Sequence, residues 1–323
     1  MAENDSLEEP VCTFWPRVIQ GALIGFFFVT LGFIAHYYYA AQPIDDLQAQ
    51  VHDLSLQIDQ LKQEQAMPAM VLNRYRNSIC YIFGVYQVGF EGQQPSFRAR
   101  ISGSGFVVED GLLATNRHVA EPWYGDAEAA ALINKGAKPK LEKLVAFFPG
   151  LSTPVNISPL ELSAQGDLAI VRIEGSKAAR QIEALPLADQ TPPPGELVAV
   201  IGYPMGILGM VAKSPQAVYE RLAYRHDDQG SANELAALSL IRPSATYGHL
   251  GDVVGDKLIY DAPTAHGGSG GPVFNSQGQV IGINEAYIDG FSGGTLGISV
   301  QALRPLIAAA EKKSQVVSRL PSN

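Results

Sequence analysis

The residues best placed to do chemistry lie in the run Ala265-His266-Gly267-Gly268-Ser269-Gly270-Gly271-Pro272, just before an apolar strand-like segment. Glycines let the backbone take positive φ and approach a bound group closely. They can also aim main-chain N–H groups at one point, as an oxyanion requires. The run offers Ser269 as a nucleophile and the N–H groups of Gly267, Gly268 and Ser269 as oxyanion donors. An ordinary turn would look the same. A serine hydroxyl is weak until a base takes its proton. Of the six histidines, only His118 closes a strand-like run (Leu112-Leu113-Ala114-Thr115-Asn116-Arg117-His118); a lone histidine is more often structural. A carboxylate must then fix the imidazole tautomer. Asp167, at the mouth of the apolar segment Leu168-Ala169-Ile170-Val171, fits that need and equally fits a turn or cap.

Taken together the three come in the chain order His…Asp…Ser. The surrounding words TNRHV, DLAIVRI, GYPMG, YDAPTAHGGSGGP and VIGINEA resemble the HtrA/Deg branch of the trypsin-like, chymotrypsin-fold serine proteases over residues 75–312. The resemblance implies a mainly β fold of two six-stranded antiparallel barrels with the triad in the cleft between them. His118 and Asp167 would come from the first barrel, and Ser269 with its oxyanion donors from the second. It implies an endopeptidase acting on unfolded or extracytoplasmic proteins through an acyl-enzyme. The rival reading is a catalytically inactive protease-fold scaffold at the membrane. No cofactor is implied, and no metal, because the acids and histidines show no ligand spacing.

Several features depart from that family. The 54 residues after Ser269 are all needed to finish the second barrel, so no PDZ domain is expected. Gly268 stands where relatives usually carry Asn or Asp, which predicts a looser oxyanion loop. Pro263 occupies the place of a trypsin's pocket-base acid, which predicts cleavage after Val, Ala or Leu rather than Lys or Arg. His266, Asn284, Glu285 and Ala286 complete the expected substrate pocket. Glu285 would either meet Asp167 as a like charge, point to solvent, or bind a basic substrate group. Two helical insertions are expected to border the cleft: one near 126–136, and one in 206–250 with an N-cap at Ser214-Pro215 and a capping box from Ser231 to Glu234.

The rest of the chain has to hold this domain somewhere. With 323 residues, 17% of them charged, the chain is long enough for one large or two small domains and is not a disordered composition. A formal charge of −9 argues against a nucleic-acid partner bound through its phosphates. Two cysteines make no disulfide framework. From Val18 to Ala41 there is no acid, lysine or arginine, a stretch whose helix would span about 36 Å against a hydrocarbon core of about 30 Å. Trp15 and Tyr37-Tyr38-Tyr39 flank it as interfacial aromatics. It reads as an uncleaved single-pass anchor. Arg17 places residues 1–17 in the cytoplasm as a tail, with the protease domain in the periplasm or another extracytoplasmic space; the inner membrane follows from the resemblance. Residues 43–66 read as a coiled-coil stalk, with Ile44, Val51 and Ile58 at a and Leu47, Leu54 and Leu61 at d. That pattern favours a dimer, whereas the family resemblance implies a trimer; a homo-oligomer is expected either way. The protease domain is placed at 71–312, with a C-terminal tail at 313–323.

Overall fold

The computed structural model describes residues 14–287 and 294–319. Most of the expected N-terminal tail and residues 320–323 therefore lie outside the described residues. Helix α1, Phe14–Tyr75, contributes to two compact units, one ending at Gln63 and one beginning at Glu64. In the first, the 25 residues Trp15–Tyr39 are apolar and long enough to cross a membrane by length and composition. Leu47, Val51, Leu54, Ile58 and Leu61 of the heptad pattern are exposed in the single chain.

The second unit is two closed six-stranded antiparallel barrels, as the resemblance implies. The first contains β1 (Ile79–Gly89), β2 (Phe97–Glu109), β3 (Leu112–Thr115), β4 (Lys138–Phe147), β5 (Val155–Leu162) and β6 (Ala169–Ile173), in the order β1-β2-β3-β6-β5-β4. The second contains β7 (Leu197–Gly202), β8 (Ser244–Val254), β9 (Lys257–Tyr260), β10 (Pro272–Phe274), β11 (Val280–Tyr287) and β12 (Thr295–Ser299), in the order β10-β11-β12-β9-β8-β7. Each encloses a core of β-branched and leucine side chains, Ile82, Leu113 and Val171 in one and Val198, Leu258 and Val273 in the other. A third cluster joins them: the Tyr203 ring lies 5.7 Å from Tyr81, and its hydroxyl donates to the Ile79 carbonyl at 3.0 Å. Burying such aromatics with their hydroxyls satisfied fixes how the barrels meet.

Short helices decorate the barrels: α2 (Arg117–Ala120), α3 (Ala127–Ile133), α4 (Lys177–Arg180), α5 (Gly206–Ala212), α6 (Gln216–Leu222), α7 (Asp228–Ala237) and the closing α8 (Val300–Arg319). The end of α1 belongs to this unit as well. Met67, Val71 and Tyr75, spaced four apart on one helical face, are buried, and Tyr75 stacks on Phe274 at 5.7 Å.

Helix α3 starts at Asp126 as expected, its carboxylate accepting the Ala129 N–H at 2.8 Å. The caps expected in 206–250 are displaced. Pro215, not Ser214, occupies the cap of α6, and the Ser214 hydroxyl donates back to the Met210 carbonyl. Ser231 is inside α7, which is capped by Asp227; that carboxylate takes the Gly230 N–H, and Glu234 pairs with Arg221 and Arg225 instead of closing a box. α8 runs past 312 to Arg319, with Lys313 paired to Glu161, so the tail expected from 313 is helix as far as described.

Candidate active site

His118 does not end a strand. It sits on the single turn α2, two residues after Asn116, which follows the last residue of β3. Asp167 lies two residues before β6, and β3 pairs with β6, so adjacent strands deliver the two side chains to the same rim. Asp167 Oδ1 accepts the His118 main-chain N–H at 2.8 Å, and Oδ2 meets His118 Nδ1 at 2.6 Å. Asn116 Nδ2 holds the Asp167 carbonyl at 2.7 Å. A carboxylate only accepts, so Nδ1 is the protonated nitrogen, and in the neutral ring Nε2 is the one left with a lone pair.

Ser269 lies in the loop before β10. Its Oγ donates to the Glu285 carbonyl at 2.9 Å, and no Ser269–His118 hydrogen bond is present among the described residues. Glu285 in turn lines a cleft of about 1010 Å³ together with His118, Asp167, Lys257, Arg100 and Asp126. Asp126 is the cap of α3, so the first insertion does border the cleft.

The loop around Ser269 is tied down, against the expectation that an extra glycine loosens it. The carbonyl of His266 accepts from Met205 N–H (2.6 Å), that of Gly268 from Gly271 N–H (3.1 Å) and that of Ser269 from Ser104 N–H (2.7 Å). The Gly267 carbonyl accepts from the Ser104 hydroxyl at 2.7 Å. With the carbonyls turned inward, the N–H groups of Gly267 and Ser269 have no acceptor among the described residues. Gly268 is different: its N–H donates to the Ala265 carbonyl at 2.9 Å, closing a tight turn, and so Gly268 is removed from the expected oxyanion donors. A Cβ on Gly268 would run into Thr264 Oγ1, so any larger residue there requires that side chain to shift.

The expected pocket residues separate. Pro263 and His266 are exposed near the nucleophile loop. Asn284 is buried, with Oδ1 accepting from the Tyr260 hydroxyl at 2.8 Å and Nδ2 donating to Thr264 Oγ1 at 3.1 Å. Its side chain braces the loop from behind and does not face a substrate. Ala286 lies in β11 opposite Leu296, after an irregularity between Asn284 and Ala286. The following segment 288–293 lies outside the described residues. Sequence reasoning missed Ser104, which grips both the Gly267 and Ser269 carbonyls; its place between Gly103 and Gly105 in β2 was the available signal.

A family model described as a trypsin-like peptidase domain matches residues 103–283, more than half of the chain. The chain belongs to the trypsin-like peptidase family. Among curated proteins it is similar to the probable periplasmic serine endoprotease DegP-like of Chlamydia trachomatis, 29% identical over 234 residues covering 71% of this chain and 36% of that protein. The protein of the same description from Rhizobium meliloti is 28% identical over 203 residues, covering 62% of this chain and 31% of the relative. The chain thus spans about a third of the length of these curated relatives. Among solved structures, the serine endoprotease from Yersinia pestis aligns at 17% identity with a TM-score of 0.48, over 76% of this chain and 66% of that one.

Within this trypsin-like peptidase domain Glu285 is the unusual group. Burial, and then the nearby charge of Asp167, raise its carboxyl above the ordinary range, with His118 and Lys257 opposing. A raised acid resists ionisation in the folded state. Stability is therefore lost as pH rises from the ordinary glutamate range through the raised value. Glu285→Gln is expected to raise the melting temperature at pH 8 and leave it near the wild type at pH 4. An equal change at both pH values would remove the ionisation from the explanation.

Proposed function

We propose that this protein is a membrane-anchored serine endopeptidase that cleaves unfolded or extracytoplasmic proteins through an acyl-enzyme. The observation that carries the reading is the grip of Asp167 on both the main chain and Nδ1 of His118, which leaves Nε2 available as a base in a cleft also lined by Glu285, whose carbonyl holds the Ser269 hydroxyl. In the proposed cycle the Ser269 hydroxyl swings from the Glu285 carbonyl to His118 Nε2. Oγ then attacks the scissile carbonyl as Nε2 takes its proton. The oxyanion is received by the N–H groups of Gly267 and Ser269, and His118 returns the proton to the leaving amine. Water, deprotonated by His118, attacks the ester, and His118 passes the proton to Ser269 Oγ as the acid is released. Once Ser269 has turned away, the Glu285 carbonyl is free to accept a main-chain N–H of the substrate.

Residues 18–41 serve as the single-pass anchor, with the N-terminus in the cytoplasm and the protease domain outside the inner membrane. The exposed heptad positions of 43–66 support self-association, as a dimer by their pattern or a trimer by the resemblance. Pro263 supports cleavage after Val, Ala or Leu, and Glu285 and His266 belong to the substrate-facing rim. The rival reading, an inactive scaffold, draws on the hydrogen bond that holds Ser269 away from His118.

Digestion of an unfolded protein, with the new termini sequenced, tests the proposal. Cuts after small or medium aliphatic residues that vanish in Ser269→Ala are expected. Predominant cuts after Lys or Arg would overturn the preference, and no Ser269-dependent cut would leave the scaffold.

A further inference from the structure

Among the described residues two that are not glycine have positive φ, Met205 and Ser239. Met205 adopts φ 62° and ψ 7°. It is the third residue of a tight turn, Tyr203-Pro204-Met205-Gly206, closed by the Gly206 N–H on the Tyr203 carbonyl at 2.8 Å. That geometry is the type II turn, which takes proline second and positive φ at the third position, where glycine or asparagine is the ordinary occupant. An L side chain there crowds its own backbone. Packing does not explain the choice, because Met205 is 60% exposed.

Its location does. The Met205 N–H donates to the His266 carbonyl, in the same peptide unit as the Gly267 N–H, one of the two unpaired donors. In the second barrel β10 lies between β11 and β7. The nucleophile loop ahead of β10 is therefore flanked by Glu285 of β11 on one side and by the turn after β7, which carries Met205, on the other. A substrate carbonyl seated at Ser269, with its acyl half along β11, must send its amine half past Met205. Leu208, three residues on in α5, also leaves its side chain exposed.

We propose that Met205, aided by Leu208, receives the side chain of the residue that follows the scissile bond and selects there for an apolar group. The inference rests on the peptidase reading above. Methionine suits the task, being flexible and polarisable enough to meet differently shaped apolar partners. The backbone strain is retained because glycine at 205 would leave that side of the cut without a wall, a pattern expected of strain at functional sites.

The test uses the full-length protein and a pair of peptides containing a site cut in the unfolded-protein digest, differing only in Leu or Ser immediately after the cut. Wild type is expected to prefer Leu by about tenfold in kcat/KM. Met205→Gly and Met205→Ala should both reduce that preference to about twofold or less. Met205→Gly should also melt about 2–4 °C higher, since glycine accepts the turn, while Met205→Ala keeps the strain and gains nothing. An unchanged preference in both variants, with Ser269-dependent cleavage intact, overturns the selectivity role alone. Loss of preference in Met205→Gly but not in Met205→Ala assigns the effect to backbone relaxation and overturns it as well. A wild type without Ser269-dependent cleavage overturns the peptidase reading and this inference together.

Discussion

Asp167→Asn is expected to lower kcat by about 10⁴ while the fold survives. The substitution keeps the shape of the side chain, and the Asp167 carbonyl remains held by Asn116. What changes is the tautomer. The carboxylate accepts from both the main chain and Nδ1 of His118. An amide oxygen can keep one of those bonds, but the amide NH₂ turned toward the ring forces Nδ1 to become the acceptor. Nε2 then carries the proton and cannot take one from Ser269. Because the triad acts as a unit, adding Ser269→Ala to Asp167→Asn should cost far less than the product of the two single effects. Melting curves that match the wild type, beside a kcat within tenfold of it, would refute this role for Asp167.

Gly267→Ala is the second large effect, expected at about 10²–10³ in kcat. Gly267 has φ +89°, and a Cβ there would sit 2.6 Å from the Tyr203 carbonyl oxygen and 2.8 Å from the Gly206 nitrogen. Both are main-chain atoms, so neither can rotate away. The turn must shift, and with it the N–H that would meet the oxyanion. A stability loss of about 1–3 kcal/mol should accompany it. The two consequences separate by measurement: KM for a peptide substrate should change much less than kcat, because the donor acts chiefly on charge that develops in the transition state. A loss confined to KM would place Gly267 in substrate binding and contradict the oxyanion assignment.

Much of the architecture was legible because the barrel strands are short apolar runs between turns. Two strands, β5 and β8, are hard to read from sequence for visible reasons. β5 carries Pro159 beside an irregularity in its pairing, and β8 carries Gly248 and Gly251 with a further irregularity after Leu250. Proline and glycine are what strand patterns exclude, and bulges let the barrel keep them. His118, Asp167 and Ser269 were singled out by residue type and order, and the structure pairs the first two. Their neighbours were harder, since an irregularity at Glu285 breaks the alternation of faces. Asn284 could therefore be taken for a pocket residue when it is buried behind the loop. Ser104 and Met205 contact the nucleophile loop across distances in sequence of more than 60 residues, and no local pattern announces such a contact.

The most direct measurement of the central claim is covalent labelling of the detergent-solubilised full-length protein with a fluorophosphonate, beside Ser269→Ala, with an unfolded protein as competitor. Wild type should be labelled at Ser269, the competitor should slow the labelling, and the alanine variant should take up no label. A folded wild type that remains unlabelled, or is labelled equally in Ser269→Ala, would contradict the account and leave a protease fold without a competent nucleophile.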